Sequence, residues 1–170
     1  MKSIVLTLAL GLAFTSTMAQ KVAYIDTKYI LGEIPEYEEA QRTLEGMSKQ
    51  WQKEVEAVFA EVEKMKEAYY MEKILLTEDM QEEREAAIKA KKDEATQLQM
   101  KYFGPQGELF KKRQELVKPI QDQVFNAVRD YAERTRLDIV FDKSSDLLMI
   151  YSDPRFDKSD DILDAMGYGY

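Results

Sequence analysis

The chain has 170 residues, of which 24 are basic and 32 acidic for a net charge of −8, and it contains neither histidine nor cysteine. An acidic balance makes nucleic acid and anionic lipid poor partners. The two missing residue types remove the commonest general base, the usual nucleophile–base pairs, the zinc and copper ligand sets, disulfides and a lipid-bearing cysteine, so the sequence reads as no enzyme and calls for no cofactor or metal.

In chain order, Lys2, the apolar run Ile4 to Phe14 and Thr17-Met18-Ala19 read as a signal peptide, 1–19, cleaved after Ala19. Eleven residues (4–14) make about 16 Å of helix against a hydrocarbon core of about 30 Å, too short for a span. No later segment is apolar enough to cross a bilayer, so the expected mature protein is exported, without an integral membrane span, and at −9 once Lys2 is lost.

Lys21 to Asp26 alternates Val22 and Tyr24 and reads as a short strand. Asp26 or Thr27 can cap a helical turn carrying Tyr29, Ile30 and Ile34 that ends around Gly32 to Pro35. From Glu36 to Leu75 the residues Leu44, Met47, Trp51, Val55, Val58, Val62, Met65 and Tyr69 recur every three or four positions. That spacing predicts one long helix with an apolar stripe, in the manner of an imperfect coiled coil. Thr77, followed by Glu78 and Asp79, starts a second helix. Its stripe of Met80, Ala87, Ile88, Ala95, Leu98 and Tyr102 is thinner.

Gly104-Pro105-Gln106-Gly107 interrupts that helix and is either a hinge or a boundary. Periodicity resumes from Leu109 to Arg136 with Pro119 inside, which either bends the helix or restarts it and pushes Lys118 towards an extended conformation. Leu137 to Phe141 and Leu147 to Tyr151, across the Asp/Ser-rich turn Asp142 to Asp146, predict a β-hairpin. A final helix, Asp160 to Met166, stops at Gly167. The expected fold is mainly α with a small β body: a helical-hairpin arm, 36–136, between β-containing segments 20–35 and 137–170, whose strands can meet because an antiparallel hairpin brings the chain back to its start. So few strands bury little area, and oligomerisation would complete them.

Glu82, Glu83 and Glu85 lie on an exposed helix, without the concave site that general acid–base work requires. Asp153, Asp157, Asp160 and Asp161 lack the ligand pattern of an EF-hand and read as caps and solvated turns. The sharper feature is the hairpin turn, where Tyr69, Tyr70, Met71, Ile74, Leu75, Leu76 and Met80 crowd together. They either zip the two helices or form an adaptable contact surface.

The order of leader, Lys21-Val22-Ala23-Tyr24-Ile25-Asp26, helical hairpin, Asp138-Ile139-Val140-Phe141-Asp142, second strand and terminal helix resembles the Skp/OmpH family of periplasmic chaperones over the whole mature chain. Gly107 to Asp122 further resembles members from Bacteroidetes-type bacteria. The resemblance implies a homotrimer whose strands assemble a shared β-barrel body, with Val22, Tyr24, Ile139 and Phe141 serving that body. It also implies that the arm, through Tyr69, Tyr70, Met71, Ile74, Leu75, Leu76 and Met80, holds unfolded outer-membrane proteins in the periplasm without ATP. The better-known members are basic and this chain is acidic, so capture would rest more on apolar arm surface or on local stretches such as Lys111 to Arg113. A coiled-coil adaptor binding a folded envelope partner is the rival reading.

Overall fold

The computed structural model describes residues 20–145 and 149–169. The leader 1–19 lies outside them, as do Leu147 and Leu148 of the expected second strand. The elements are β1 (Val22–Ile25), α1 (Thr27–Gly32), α2 (Pro35–Glu72), a 3-10 turn (Lys73–Leu75), α3 (Glu78–Phe103), α4 (Glu108–Leu116), α5 (Lys118–Thr135), β2 (Ile139–Asp142), a second 3-10 turn (Pro154–Phe156) and α6 (Ser159–Met166). Packing divides the described residues into two compact units, one within Met1–Lys28 and Ala127–Tyr170, the other Tyr29–Asn126.

In the first unit β1 and β2 pair in parallel, with Val22 opposite Ile139 and Tyr24 opposite Phe141. The strands of the two chain ends thus meet as expected, whereas in the expected hairpin between Leu137–Phe141 and Leu147–Tyr151 the described part, 149–151, has no regular structure, and among the described residues the partner of β2 is β1. The reason lies in Asp142. Its carboxylate accepts from the Thr27 amide (3.2 Å) and hydroxyl (2.7 Å) and from the Ser144 amide (3.0 Å) and hydroxyl (2.8 Å). The start of the Asp/Ser turn is therefore fastened to the start of α1. At the other end of the pair the Asp138 carboxylate accepts from the Lys21 amide at 2.8 Å.

The far edge of β1 is closed by a bridge between Tyr24 and Asp157. Asp157 then accepts from the amide and hydroxyl of Ser159, 3.0 and 2.7 Å, and opens α6. The buried Ser159 hydroxyl in turn accepts from the Asp26 amide at 2.9 Å, tying α6 to the end of β1. Gly167, at φ 87, ends α6 as expected: the Tyr168 amide donates to Leu163 and the Gly167 amide to Asp164, a Schellman closure that needs a left-handed residue. The same closure ends α5, where Leu137 donates to Ala132, but there the left-handed residue is Arg136, at φ 57.

In the second unit all eight residues of the α2 stripe are buried or half-buried, with Leu44, Val55, Val62 and Tyr69 deepest. Pro35 begins this helix, since a proline in the first turn forgoes only a donor that has no acceptor there. Thr77 caps α3, its hydroxyl oxygen accepting from the Met80 amide at 3.4 Å. Pro119 restarts the helix instead of merely bending it: α4 ends at Leu116, Val117 intervenes, and α5 begins at Lys118. Lys118 is helical and not extended. The pre-proline preference yields because the Gln121 amide still reaches Val117 O at 3.1 Å, and a proline at the second helical position forfeits no intrahelical bond.

Two stability measurements check this account. Replacing Arg136 by glycine relieves an unfavourable backbone conformation and is expected to stabilise by about 1 kcal/mol in urea unfolding. Replacing Asp142 by alanine strands the groups it binds and should cost roughly 2 kcal/mol. Burial alone raises the Asp142 pKa, but the hydrogen bonds from Thr27 and Ser144 outweigh it, and the net shift is downward. A folded-state pKa below the unfolded one means that this contribution is complete above the ordinary aspartate value of about 3.9 and disappears as pH falls through the lower folded value. Asp142→Asn should lack that acid-dependent component in a series of urea melts.

Candidate functional site

The hairpin of α2 and α3 is an unequal pair. Helix α2 contributes the long stripe, whereas the only fully buried residue of α3 is Ala95, flanked at heptad spacing by the half-buried Ile88 and Tyr102. Polar bonds and one ring pair make up the deficit. Tyr102 stacks on Trp51 with ring centroids 5.0 Å apart and 7° between planes, and its hydroxyl donates to Glu54 at 2.7 Å. Nearer the turn, Lys91 pairs with Glu61 at 2.8 Å, and the Tyr69 hydroxyl donates to Glu85. Those carboxylates push both phenols above their ordinary pKa, so each remains a donor through the neutral range.

Tyr69 is the last buried residue of the stripe. Beyond it the chain passes through the 3-10 turn, where the side-chain Nε2 of Gln81 donates to Lys73 O and Leu76 O, both at 3.2 Å. This bracket fixes the backbone and leaves the neighbouring apolar side chains without a packing surface. Tyr70 is 70% exposed, Met71 80%, Ile74 95% and Leu75 85%. Met80 is also exposed, and Leu76 is half-buried. The seven residues singled out at the turn therefore divide: Tyr69 belongs to the zipper, Leu76 lies between, and the other five form an apolar patch in solvent.

Of the four body residues, Tyr24 is buried and Val22 half-buried, while Ile139 and Phe141 keep part of their surface exposed. The ladder register sets them directly opposite one another in two pairs. Beside them an open apolar hollow of about 390 Å³ is lined by Val22, Tyr24, Phe141, Met149, Tyr151 and Phe156, among others. Tyr151 was expected only as the end of a second strand, and Phe156 in no role. Their signal is weak, since the segment between β2 and α6 has no periodicity to mark a facing side.

The other candidate groups are absorbed locally. Asp153 accepts from the Arg155 amide and pairs with its guanidinium at 2.9 Å. Asp157 caps Ser159, and Asp161 pairs with Lys158 at 3.2 Å. Among the described residues no group of three or more acidic side chains is arranged to hold a metal ion, and no helix is long and apolar enough to cross a membrane. Within the basic stretch, Lys111 and Lys112 pair with Glu108 and Glu115 at 2.8 and 2.6 Å, which leaves Arg113 to carry its net charge.

Gly104 to Gly107 is a closed turn. The Gly107 amide donates to Gly104 O at 2.9 Å, and a Cβ at Gly104 would lie 2.4 Å from Met100 O, one at Gly107 2.7 Å from Tyr102 O. The glycines are there because backbone approaches backbone, and both have ordinary negative φ. Gly107→Ala should therefore destabilise by about 1–3 kcal/mol in urea unfolding. A change below a few tenths of a kcal/mol would identify the segment as loose enough to act as a hinge.

Residues 21–166 match the family described as outer membrane protein (OmpH-like). A search of curated proteins finds no match. Among solved structures, the chain is similar to a crystal structure described as an OmpH-like outer membrane chaperone from Caulobacter crescentus CB15. The TM-score is 0.62 at 15% identity, over 91% of this chain and 90% of that one. At that identity the likeness is one of fold.

Proposed function

The chain belongs to the OmpH-like outer membrane protein family, and from that membership we propose that the mature protein is an ATP-independent periplasmic holdase. It binds unfolded outer-membrane proteins and keeps them from aggregating, without catalysing a covalent reaction. The family's chaperone character supports this reading, and one observation carries it to particular residues. The apolar side chains at the hairpin turn, Tyr70, Met71, Ile74, Leu75 and Met80, stand in solvent on a backbone held by the Gln81 side chain. A contiguous exposed apolar patch marks a contact surface. Methionine adapts to irregular partners, and tyrosine offers an apolar face with a polar end.

In this reading 36–136 is the client-holding arm, and 20–35 with 137–170 form the body through which three copies associate. Ile139 and Phe141, 41% and 37% exposed in a two-stranded sheet, support self-association, because so small a sheet gains stability from covering them. Residues 1–19 serve as the export leader.

The test is light scattering of a urea-diluted outer-membrane β-barrel protein, with and without the mature chain and without nucleotide. Suppression is expected at near-stoichiometric chaperone, and Tyr70→Ser/Ile74→Ser/Leu75→Ser should weaken it severalfold with helicity unchanged. No suppression at severalfold excess would overturn the holdase reading and favour an adaptor for a folded envelope partner.

A further inference from the structure

The hairpin turn differs from the remainder of α3 in charge as well as in exposed apolar surface, and is more densely acidic than the remainder of α2, where residues 35–66 carry a net of −3. Residues 67–85 carry seven carboxylates and two cations, a net of −5, whereas 86–103, the remainder of α3, carry four cations and two carboxylates, a net of +2. The two cations of the turn are both engaged, Lys73 with Glu85 at 3.9 Å and Arg84 with Glu72 at 3.6 Å. The five other carboxylates, Glu67, Glu78, Asp79, Glu82 and Glu83, are exposed and make no hydrogen bond or ion pair with the described residues. Helix α3 accounts for two of them, since Glu78 and Asp79 lie in its first turn, where the helix dipole favours anions. Glu67, Glu82 and Glu83 have no such role.

These charges bracket the patch in sequence on both sides. Glu67 precedes Tyr70 and Met71 on α2, and Glu82 and Glu83 follow Met80 on α3. An apolar contact surface flanked in sequence by uncompensated negative charge discriminates among otherwise equivalent apolar partners. It attracts segments flanked by cations and repels those flanked by carboxylates. We propose that this turn selects unfolded segments in which aromatic and aliphatic residues are flanked by lysine or arginine. The proposal rests on the contact role assigned above to Tyr70, Ile74 and Leu75, and adds to it the chemical class of segment that is held.

The selection is electrostatic and surface-exposed, so salt weakens it over a screening length of about 8 Å at physiological ionic strength, whereas apolar contact persists. The experiment uses the mature full-length chain and three fluorescein-labelled peptides that share one core of leucine, tyrosine and valine and differ only in flanks of lysine, serine or glutamate. Binding is followed by fluorescence anisotropy at low and high salt.

The lysine-flanked peptide is expected to bind about tenfold more tightly than the glutamate-flanked one at low salt, with the serine-flanked peptide between them. Most of that margin should vanish at high salt and in Glu67→Gln/Glu82→Gln/Glu83→Gln, which leaves the first turn of α3 intact and whose helicity is checked by circular dichroism. Equal affinity for the three peptides, lost in Tyr70→Ser/Ile74→Ser/Leu75→Ser, would overturn the charge selection and leave the contact role standing. Affinity untouched by that apolar variant would overturn both.

Discussion

The hairpin is held by an apolar seam that only one of its helices fully supplies, and much of the second unit follows from that inequality. Helix α2 presents Leu44, Val55, Val62 and Tyr69 to the interior, whereas α3 answers with Ala95 as its one fully buried side chain. A coiled coil with one poor partner needs other ties. Here they are long side chains that reach across: Tyr102 to Glu54, Lys91 to Glu61 and Tyr69 to Glu85. An exposed ion pair contributes about 0–1 kcal/mol, and the stacked Trp51–Tyr102 pair about 0.5–1.5 beyond its buried area. The ties therefore fix register more than they add stability. Where the seam ends, at Tyr69, the apolar residues do not end with it. The patch at the turn is the part of an apolar pattern that outruns the surface available to cover it.

The strand unit solves a different problem with similar means. Four residues of β1 against four of β2 form too little sheet to stand by packing alone. Both ends of the pairing are fastened by carboxylates, Asp138 to the Lys21 amide and Asp142 to Thr27 and Ser144. Asp157 and Ser159 then attach α6 to the open edge of β1. Charge-assisted bonds of this kind specify which segments meet, which matters when partners such as Thr27 and Asp142 lie 115 residues apart in sequence. Ile139 and Phe141 retain exposed surface after all of these ties are made.

What could be read from the sequence was what is decided locally. The α2 stripe, the Thr77 cap, the interruption at Gly104 to Gly107 and the stop at Gly167 each depend on residues within a turn or two of one another, and each stands where it was expected. That strands from the two chain ends meet was legible, but not that Thr27 would donate to the turn after β2, because Asp142 and Ser144 announce a turn and carry no sign of so distant a donor. Nor was Arg136 at φ 57, since nothing in Thr135-Arg136-Leu137 distinguishes a left-handed closure from the next turn of helix. At the turn of the hairpin, composition singled out seven residues together. Only the placement of Glu85 opposite Tyr69 separates the one that serves the zipper from the five that face solvent.

That separation bears on how such a surface can work. Fully burying a large apolar side chain is worth about 1.5–3 kcal/mol, and a partner resting on an exposed turn covers each of these only in part. The gain per contact is correspondingly small, and ordering the partner opposes it. A surface of this kind cannot hold one segment tightly. It can hold many segments briefly, which suits a partner that must remain unfolded and be surrendered without an energy source. Rigidity is then needed beneath the surface and not in it. The Gln81 side-chain bracket to Lys73 O and Leu76 O and the Thr77 cap supply that rigidity by holding the backbone, while the apolar side chains stay exposed.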